Sequence, residues 1–377
     1  MEMVLEFLRD VLSQPALLIG IMSCIGLIAL KRPFHKVMTG TLKPILGYLM
    51  LAAGAGVIVN NLDPLGKMIE HGFHITGVVP NNEAIVAVAQ KVLGVETMSI
   101  LVVGLLMNLC IARFTKFKYV FLTGHHSLFM ACLMSAVLGT AGLSGMELIL
   151  VGGFLMGAWS AISPAIGQSY TSKVTDGDEI AIGHFGSLGY YLSAWVAKYV
   201  GKADDSTEDI EIPEKWGFLR DSTLSTALTM IVFYLIAAFA AGSEFVATLS
   251  GDMSPYLYAV MSAMNFAVGV TIVYSGVRMI LGDLIPAFQG IATKIIPNAI
   301  PAVDCAVFFT YAPTAVVLGF ISSFIGGIIG MLILGAVGGV LIIPGLVPHF
   351  FCGATAGIYG NATGGRRGAA VGAFLNG

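Results

Sequence analysis

Long apolar stretches dominate the chain, and charged residues are confined mostly to the segments between them. Two stretches without Asp, Glu, Lys or Arg are 148–172 and 254–277, and a third extends from Cys305 to Gly365, interrupted by His349. About 20 apolar residues form a helix that crosses the ~30 Å hydrocarbon core of a bilayer, so the third stretch is long enough for two passes. The pattern predicts a polytopic membrane protein with spans at 15–31, 38–60, 98–113, 119–141, 147–170, 222–242, 255–278, 306–325 and 326–347.

Three other stretches, 61–96, 174–200 and 282–304, mix polar residues, Gly and Pro with apolar ones. They are too polar to face lipid as simple spans. Irregular backbone at membrane depth is tolerated only where it is buried in protein or lines a wet cavity. The predicted fold is therefore an all-α integral membrane protein, a polytopic helical bundle with an inverted repeat, re-entrant hairpins and amphipathic interfacial helices.

The inverted repeat is predicted from two similar pairs of motifs. In each half, a proline motif is followed by a second proline, and a carboxylate lies three residues after that second proline. The motifs are Asn61-Leu62-Asp63-Pro64 with Pro80-Asn81-Asn82-Glu83, and Asp283-Leu284-Ile285-Pro286 with Pro301-Ala302-Val303-Asp304. The division of the chain follows from the repeat and from its basic loops. Because Lys/Arg-rich loops usually face the cytoplasm, the polar segment 202–221 is predicted to be a cytoplasmic linker. Residues 1–201 form the predicted first membrane half and 222–377 the second half, with the substrate site between the repeats.

Composition narrows the function. Hydrophobic residues make up 56% of the chain and charged residues 11%, against about 25% charged in soluble domains. A net charge of −3 without a basic stripe predicts no nucleic-acid partner. The five cysteines form no CxxC pair, which predicts neither a disulfide framework nor a metal site. The sequence contains no phosphate-binding loop, so we expect no ATP hydrolysis on this chain and no cofactor.

Asp304 is the first candidate for chemistry, because it borders the long uncharged stretch, where a carboxylate is costly. It would accept hydrogen bonds from solute hydroxyls or act as a base, and the alternative is a structural acid that caps a helix. Glu83, its counterpart in the first half, is either a second site acid or an exposed loop acid. Gly54 most simply serves close helix packing, and backbone contact with a ligand is the alternative.

His125, His126 and His184 are the other candidates. His125 and His184 each follow a glycine in a polar break, where the backbone can approach a ligand closely. Imidazole can donate or accept a hydrogen bond, whereas a buried structural histidine is the alternative. These residues predict a carrier of a small polar solute. A proton- or sodium-coupled transporter with Asp304 and Glu83 as coupling acids, and an intramembrane enzyme using His125 and His184, are the other hypotheses.

Several motifs together resemble one family of permeases. They are Leu122-Thr123-Gly124-His125, Val174-Thr175-Asp176-Gly177 with Ile182-Gly183-His184, Gly276-Val277-Arg278-Met279, Ile300-Pro301-Ala302-Val303-Asp304-Cys305 and Leu341-Ile342-Ile343-Pro344-Gly345. Over nearly its whole length the chain resembles the ascorbate-specific membrane component (IIC) of the phosphoenolpyruvate-dependent sugar phosphotransferase system, in the ascorbate/galactitol superfamily.

The resemblance implies a homodimer in the bacterial inner membrane, in contact with lipid, that imports an ascorbate-like solute. A cytoplasmic phospho-IIB protein, itself supplied by IIA and HPr, would transfer its phosphoryl group to the solute, so no phosphoryl-carrying residue is expected on this chain. The resemblance also implies a set of ligand contacts: Asn82, Glu83, the stretch from His125 through His126 to Phe129, His184, Phe185 and Asp304.

Three of these positions depart from the ascorbate pattern. Phe129 and Phe185 stand where glutamine is expected, and Glu83 stands where an aromatic residue is expected. Because sites built on hydrogen bonds discriminate strongly between solutes, a related sugar, sugar acid or polyol is an alternative to ascorbate. Gly364-Gly365-Arg366-Arg367 resembles the start of the family's last spans, although the sequence ends at Gly377, which fits either a fragment or a shortened member.

Overall fold

The computed structural model describes residues 14–74, 82–210, 222–340 and 342–377, together with Phe7, Asp10 and Val11. Within these ranges some side chains are not described, among them those of 82–91 and His125. The helices are α1 Pro15–Ala29, α2 Phe34–Gly72, α3 Asn82–Phe114, α4 Gly124–Thr140, α5 Gly145–Thr175, α6 Ser187–Val200, α7 Ser222–Ala241, α8 Ser243–Ser250, α9 Pro255–Lys294, α10 Pro313–Ala336 and α11 Ala354–Asn376. The strands are β1 Tyr119–Phe121, β2 Ala181–Ile182 and β3 Ile300–Val303.

The predicted all-α polytopic membrane fold is confirmed. Among the described residues, five helices are long and apolar enough to cross a membrane, and the bent pair formed by α7 and α8 makes six if it counts as one span. Large apolar side chains on these helices stay exposed; on α7, Val232, Ile236 and Phe239 recur every three or four residues and are 57%, 58% and 66% exposed. An exposed stripe of this kind at helical spacing suits contact with lipid.

The chain forms two compact units, each assembled from separate stretches of sequence. The first unit contains residues 1–49, 81–188 and 278–307, and the second contains 50–80, 189–277 and 308–377. Each unit therefore draws on both of the predicted halves. The inverted relation between the halves, and their boundaries at 201 and 222, stay predictions.

In the first unit, α3 and α5 lie against each other at glycines. A Cβ on Gly157 would lie 2.6 Å from the carbonyl oxygen of Gly104 and 2.9 Å from the backbone nitrogen of Asn108. Only a residue without a Cβ allows two helix backbones to approach this closely, as is common between membrane helices. The close approach brings the end of α3 next to the strands that follow.

The second unit contains a helical hairpin that the sequence analysis did not predict. The helical φ/ψ pattern of α11 breaks at Gly364 and Gly365, and Gly365 has φ +60°. A Cβ on Gly368 would lie 2.5 Å from the carbonyl oxygen of Gly360, whereas these residues would be ~12 Å apart in a straight helix. The two arms of α11 therefore fold back on each other.

The C-terminal spans also differ from the prediction. A single helix, α10, replaces the predicted spans 306–325 and 326–347. It ends at Ala336, shortly before Gly338 with φ +74° and the backbone that leads to Pro344. The next helical segment begins only at Leu346 and continues through a π-helical turn, His349–Gly353, into α11. The glycines and the proline stop the helix, and the apolar composition alone does not reveal this.

The beginning of the predicted linker is held tightly within the second unit. The backbone N–H of Thr207 donates to Oδ1 of Asn361 at 2.8 Å, and Asp205 pairs with Arg366 next to the break in α11. The Glu208 carboxylate accepts hydrogen bonds from the Thr314 amide at 3.0 Å, the Thr314 hydroxyl at 2.8 Å and the Ala315 amide at 3.1 Å. Glu208 thus caps the N-terminus of α10 from a distant part of the chain.

Replacing Glu208 with alanine is therefore expected to destabilise the protein by about 1 kcal/mol, because the first-turn amides of α10 lose their acceptor. The thermal midpoint of the detergent-solubilised protein measures the effect. Asp209→Ala is the matched control, since Asp209 is exposed and its side chain makes no hydrogen bond within the described part of the chain. Equal midpoints for the two variants would contradict a capping role.

Candidate functional site

A three-stranded parallel sheet organises the first unit around its candidate site. The strand order is β1-β3-β2, with β3 in the centre. Tyr119 is opposite Ile300 in one ladder, and Ile182 is opposite Val303 in the other. Two further hydrogen bonds extend the ladders beyond the outer strands, from the amide of Leu122 to Ala302 and from the amide of Gly183 to Val303.

Two amide side chains hold the outer strands in place. Asn108 of α3 donates from Nδ2 to the Tyr119 carbonyl at 3.1 Å and accepts the Phe121 amide at 3.0 Å, so it mimics a neighbouring strand. Gln168 of α5 donates from Nε2 to the Ile180 carbonyl at 3.1 Å. These bonds satisfy backbone groups that a two- or three-residue strand would otherwise leave unpaired in an apolar setting. Burial, with a smaller contribution from the Asp178 carboxylate, raises the pKa of Tyr119.

The predicted polar residues meet at the carboxyl edge of this sheet. Parallel strands all point the same way, so their carboxyl ends lie side by side. Thr123, followed by α4 with His126, comes after β1; Gly183 and His184 come after β2; and Asp304 directly follows β3. Three stretches that are far apart in sequence thus deliver one polar group each to the same place.

The His126 ring lies at the centre of the group. Its centroid is 4.0 Å from that of His184, at an interplanar angle of 61°. Phe185 and Phe129 also meet it edge to face, with centroid distances of 5.2 Å and 6.0 Å. His126 Nε2 is 3.9 Å from Asp304 Oδ2. Both of these side chains are largely buried, with 11% and 9% of their surface exposed, so their mutual orientation is well determined by packing.

Asp304 uses its two oxygens differently. Oδ1 accepts a hydrogen bond from the Ala306 amide at 3.0 Å, at the start of a short 3₁₀ helix, Cys305–Thr310. The structural alternative considered for Asp304, a helix cap, is thus real, and it engages Oδ1. Oδ2 faces His126. The same carboxylate therefore anchors its own loop and contributes a buried polar group to the cluster.

The protonation of His184 follows from its contact with the backbone. The Gly186 amide donates to His184 Nδ1 at 2.9 Å. A neutral imidazole with Nδ1 as acceptor carries its proton on Nε2. His184 can thus donate a hydrogen bond from Nε2, which is the kind of group a hydroxyl-rich solute requires.

The structure brings together five of the residues predicted from the sequence: His126, Phe129, His184, Phe185 and Asp304. The side chains of Asn82, Glu83 and His125 lie outside the described residues, although their backbones belong to the first turns of α3 and α4. Gly54 lies in the second unit, where a Cβ would be 2.7 Å from the carbonyl oxygen of Gly269 on α9. This contact fits the helix-packing interpretation of Gly54.

Three residues of this region were missed by sequence reasoning. Tyr48 of α2 is buried, and its phenol lies within electrostatic range of the Asp304 carboxylate. The Thr123 hydroxyl is buried and has no hydrogen-bond partner within the described part of the chain. Asn108, described above, sits in an otherwise apolar stretch of α3, residues 100–112. A lone amide within a membrane span was the available signal, because such a group must find partners.

The long apolar helices of the described residues indicate a multi-pass membrane protein, and a buried polar cluster lies within its first unit. A family model described as the PTS system sugar-specific permease component, EIIC-GAT, matches residues 10–377. The chain therefore belongs to this family of sugar-specific permeases of the phosphotransferase system, as its motifs predicted.

One curated relative is the ascorbate-specific PTS system EIIC component of Mycoplasma pneumoniae. It is 28% identical over an alignment of 420 residues, which covers 95% of this chain and 62% of the relative. The chain thus spans about three fifths of the length of the curated relative it matches.

Proposed function

We propose that this chain is a IIC permease that binds a small hydroxylated solute and carries it across the bacterial inner membrane as part of a phosphotransferase system. The solute is ascorbate or a related sugar, sugar acid or polyol. A phospho-IIB protein in the cytoplasm, recharged through IIA and HPr, phosphorylates the solute during import. The permease works as a homodimer.

One observation carries the proposal: the carboxyl ends of three parallel strands assemble His126, His184 and Asp304 in a chain of the sugar-specific permease family. Imidazole nitrogens and a carboxylate oxygen match the donors and acceptors of a polyhydroxylated molecule. Phosphoryl transfer demands mainly positioning and charge stabilisation. A chain without a nucleotide-binding motif can therefore hold the solute while it accepts the phosphoryl group.

The aromatic residues Phe129 and Phe185 bear on the choice of solute. They border His126 at positions where the ascorbate pattern has glutamine, and a phenyl ring offers no hydrogen bond. A site that loses two amides discriminates differently among hydroxylated solutes. For this reason the proposal covers related sugars, sugar acids and polyols as well as the ascorbate named for the Mycoplasma relative.

Proteoliposomes containing the purified protein test the proposal. We expect the internal solute to be phosphorylated, and to accumulate only when phospho-IIB is present on the cytoplasmic side. A panel of ascorbate, galactitol and related solutes identifies the substrate. Uptake of unmodified solute that an ionophore abolishes would instead show an ion-coupled transporter. Turnover of a solute by the chain alone would show an enzyme.

His184→Ala is expected to weaken solute binding about tenfold, because the site loses the Nε2 donor. Calorimetry on the purified protein measures the change. His184→Asn is the matched comparison, since an Asn oxygen can still accept the Gly186 amide as Nδ1 does. If His184→Asn restored full binding, the role of His184 would be limited to supporting its loop.

A further inference from the structure

The helix α6, in the second unit, has one face bound to α11 and another face that is exposed. On the bound face, the Ser193 hydroxyl donates to the Ala356 carbonyl at 2.6 Å. The Thr363 hydroxyl donates to the Ala194 carbonyl at 2.9 Å. Because both partners belong to α11, these hydrogen bonds fix the rotation of α6 and therefore decide which of its side chains point outward.

The exposed face of α6 changes in character along the helix. Leu192, Trp195 and Tyr199 follow one another at helical spacing and are 46%, 50% and 73% exposed. The rings of Trp195 and Tyr199 meet edge to face, with centroids 5.4 Å apart. Lys198 is exposed in the last turn, and Lys202 is exposed just beyond the end of the helix. The face thus passes from aliphatic through aromatic to cationic.

The length of α6 places its end near a membrane boundary. Its 14 residues span about 21 Å, less than the ~30 Å of hydrocarbon in a bilayer. Its C-terminal end leads into the segment 202–221, the predicted cytoplasmic linker. Trp and Tyr are enriched at the level of the lipid headgroups, and Lys extends its ammonium group to the interface. The exposed face therefore has the same order of apolar and charged parts as a phospholipid.

The break in α11 brings further cations to the same end of α6. A Cβ on Gly365, at the break, would overlap the carbonyl oxygen of Lys202, so the tip of the hairpin touches the segment that follows α6. Arg366 and Arg367 are exposed at this tip. Cationic side chains from two separate parts of the chain thus gather around the C-terminal end of α6.

The balance of charge at this end is positive. Residues 195–205 and 363–368 contain four cations and two acids, and one of these acids, Asp205, is paired with Arg366. The next acid along the chain, Glu208, is bound to the first turn of α10. A local excess of positive charge attracts anionic groups, above all at a membrane surface.

We propose that the C-terminal end of α6 and the adjoining tip of the α11 hairpin bind an anionic phospholipid of the cytoplasmic leaflet. Lys198, Lys202 and Arg367 hold its phosphate-bearing headgroup, and Trp195 and Tyr199 contact it at the boundary of the acyl chains. The inference goes beyond the proposed function, because it depends on neither the solute nor its phosphorylation.

The apolar part of the face favours a lipid over a protein that docks from the cytoplasm. Leu192 lies roughly 10 Å before Tyr199 along the helix axis, on the side of the membrane interior. A soluble partner would reach the lysines but not this depth, whereas an acyl chain extends along the same line as its headgroup. One ligand of this class therefore accounts for both ends of the face.

Quenching of Trp195 fluorescence by brominated lipids tests the proposal. In the full-length protein, Trp159 and Trp216 are replaced by phenylalanine, which leaves Trp195 as the single tryptophan. The protein is reconstituted in phosphatidylcholine bilayers that contain increasing fractions of brominated phosphatidylglycerol or brominated phosphatidylcholine. We expect the anionic lipid to quench Trp195 at about tenfold lower mole fraction, and this preference to shrink at high salt because it is electrostatic.

Charge-removing variants identify the groups that bind the headgroup. Lys202→Gln and Arg367→Gln are each expected to lower the preference about fivefold, and the double variant to abolish it. Lys173→Gln is the matched control, since Lys173 is an exposed cation in the last turn of another helix, α5, and its loss should leave the preference unchanged. Thermal midpoints show whether each variant is folded.

Two results would overturn the proposal. Equal quenching by the two lipids would show that the face contacts lipid without selecting a charged headgroup. Absence of quenching by either lipid would show that protein covers this face, either a second copy of the chain or a partner such as phospho-IIB. Because the measurement uses no solute, failure of the proposed function would leave its result unaffected.

Discussion

Asp304→Asn is expected to weaken solute binding about 10- to 150-fold while the protein stays folded. Hydrogen bonds to a charged group contribute about 1.5–3 kcal/mol, and asparagine removes the charge and puts an N–H in place of one acceptor oxygen. The amide oxygen of asparagine can still receive the Ala306 amide in place of Oδ1, so the loop keeps its cap. Calorimetry with the solute identified in the panel measures the loss, and the thermal midpoint checks the fold.

Asp283→Asn is the matched control for this variant. Asp283 is also an acid of the first unit, in an apolar helix, and lies 3.7 Å from Lys43 at a partly exposed position. Within the described part of the chain, Asp283 makes no contact with His126, His184 or Asp304. Its replacement should leave the solute affinity within a factor of two, because a partly exposed ion pair contributes little free energy. If Asp304→Asn bound the solute with wild-type affinity, Asp304 would have no role in solute binding.

Gly183→Ala is expected to disrupt both folding and binding, although it adds only a methyl group. The new Cβ would lie 2.7 Å from the Ala302 carbonyl oxygen and 3.2 Å from the Thr123 hydroxyl oxygen. Because one neighbour is the backbone of the central strand, the contact can be relieved only by moving β2 away from β3. Overpacking of this kind costs about 1–3 kcal/mol, and the movement would carry His184 away from His126.

Gly177→Ala tests whether that effect is specific. Gly177 belongs to the turn between α5 and β2, and a Cβ there would meet no atom within 4 Å. The thermal midpoint and the solute affinity should fall in Gly183→Ala and stay unchanged in Gly177→Ala. If Gly183→Ala bound solute like the wild type, the sheet would not be what positions the site.

The polar residues that meet at the sheet edge could be chosen from the sequence because a polar or charged group in an apolar stretch is energetically costly. Asp304 borders a long uncharged stretch, and His184 follows a glycine in a polar break. The membrane class was equally visible from hydropathy, and both the class and the family are confirmed. Such signals arise from single residues in an improbable setting and need no knowledge of the tertiary structure.

The sheet that joins these residues could not be predicted in the same way. Its strands are three, two and four residues long, too short to display an alternating pattern. Residues 119–121 merge into an apolar stretch that continues through α4 and was predicted as a single span. The polar segments 174–200 and 282–304, predicted to be re-entrant or interfacial, instead provide β2 and β3 along with parts of the flanking helices.

The α11 hairpin escaped prediction for a different reason. Composition shows an uncharged stretch, but it does not show where the helix breaks. Gly364 and Gly365 were the signal, together with Gly360 and Gly368, whose spacing allows two arms to touch. Paired glycines occur both in closely packed straight helices and at reversals, so the local sequence fits either structure.

The order of the strands has a consequence for biosynthesis. The central strand, β3, lies about 180 residues after β1, and the edge strands flank it rather than each other. At about 5–20 residues per second, a ribosome needs roughly 10–40 s to supply the missing centre. During that interval the side chains of Asn108 and Gln168 can already form their hydrogen bonds to Tyr119, Phe121 and Ile180. A nascent chain released before residue 300 would contain His126 and His184 but would lack the strand that lies between β1 and β2.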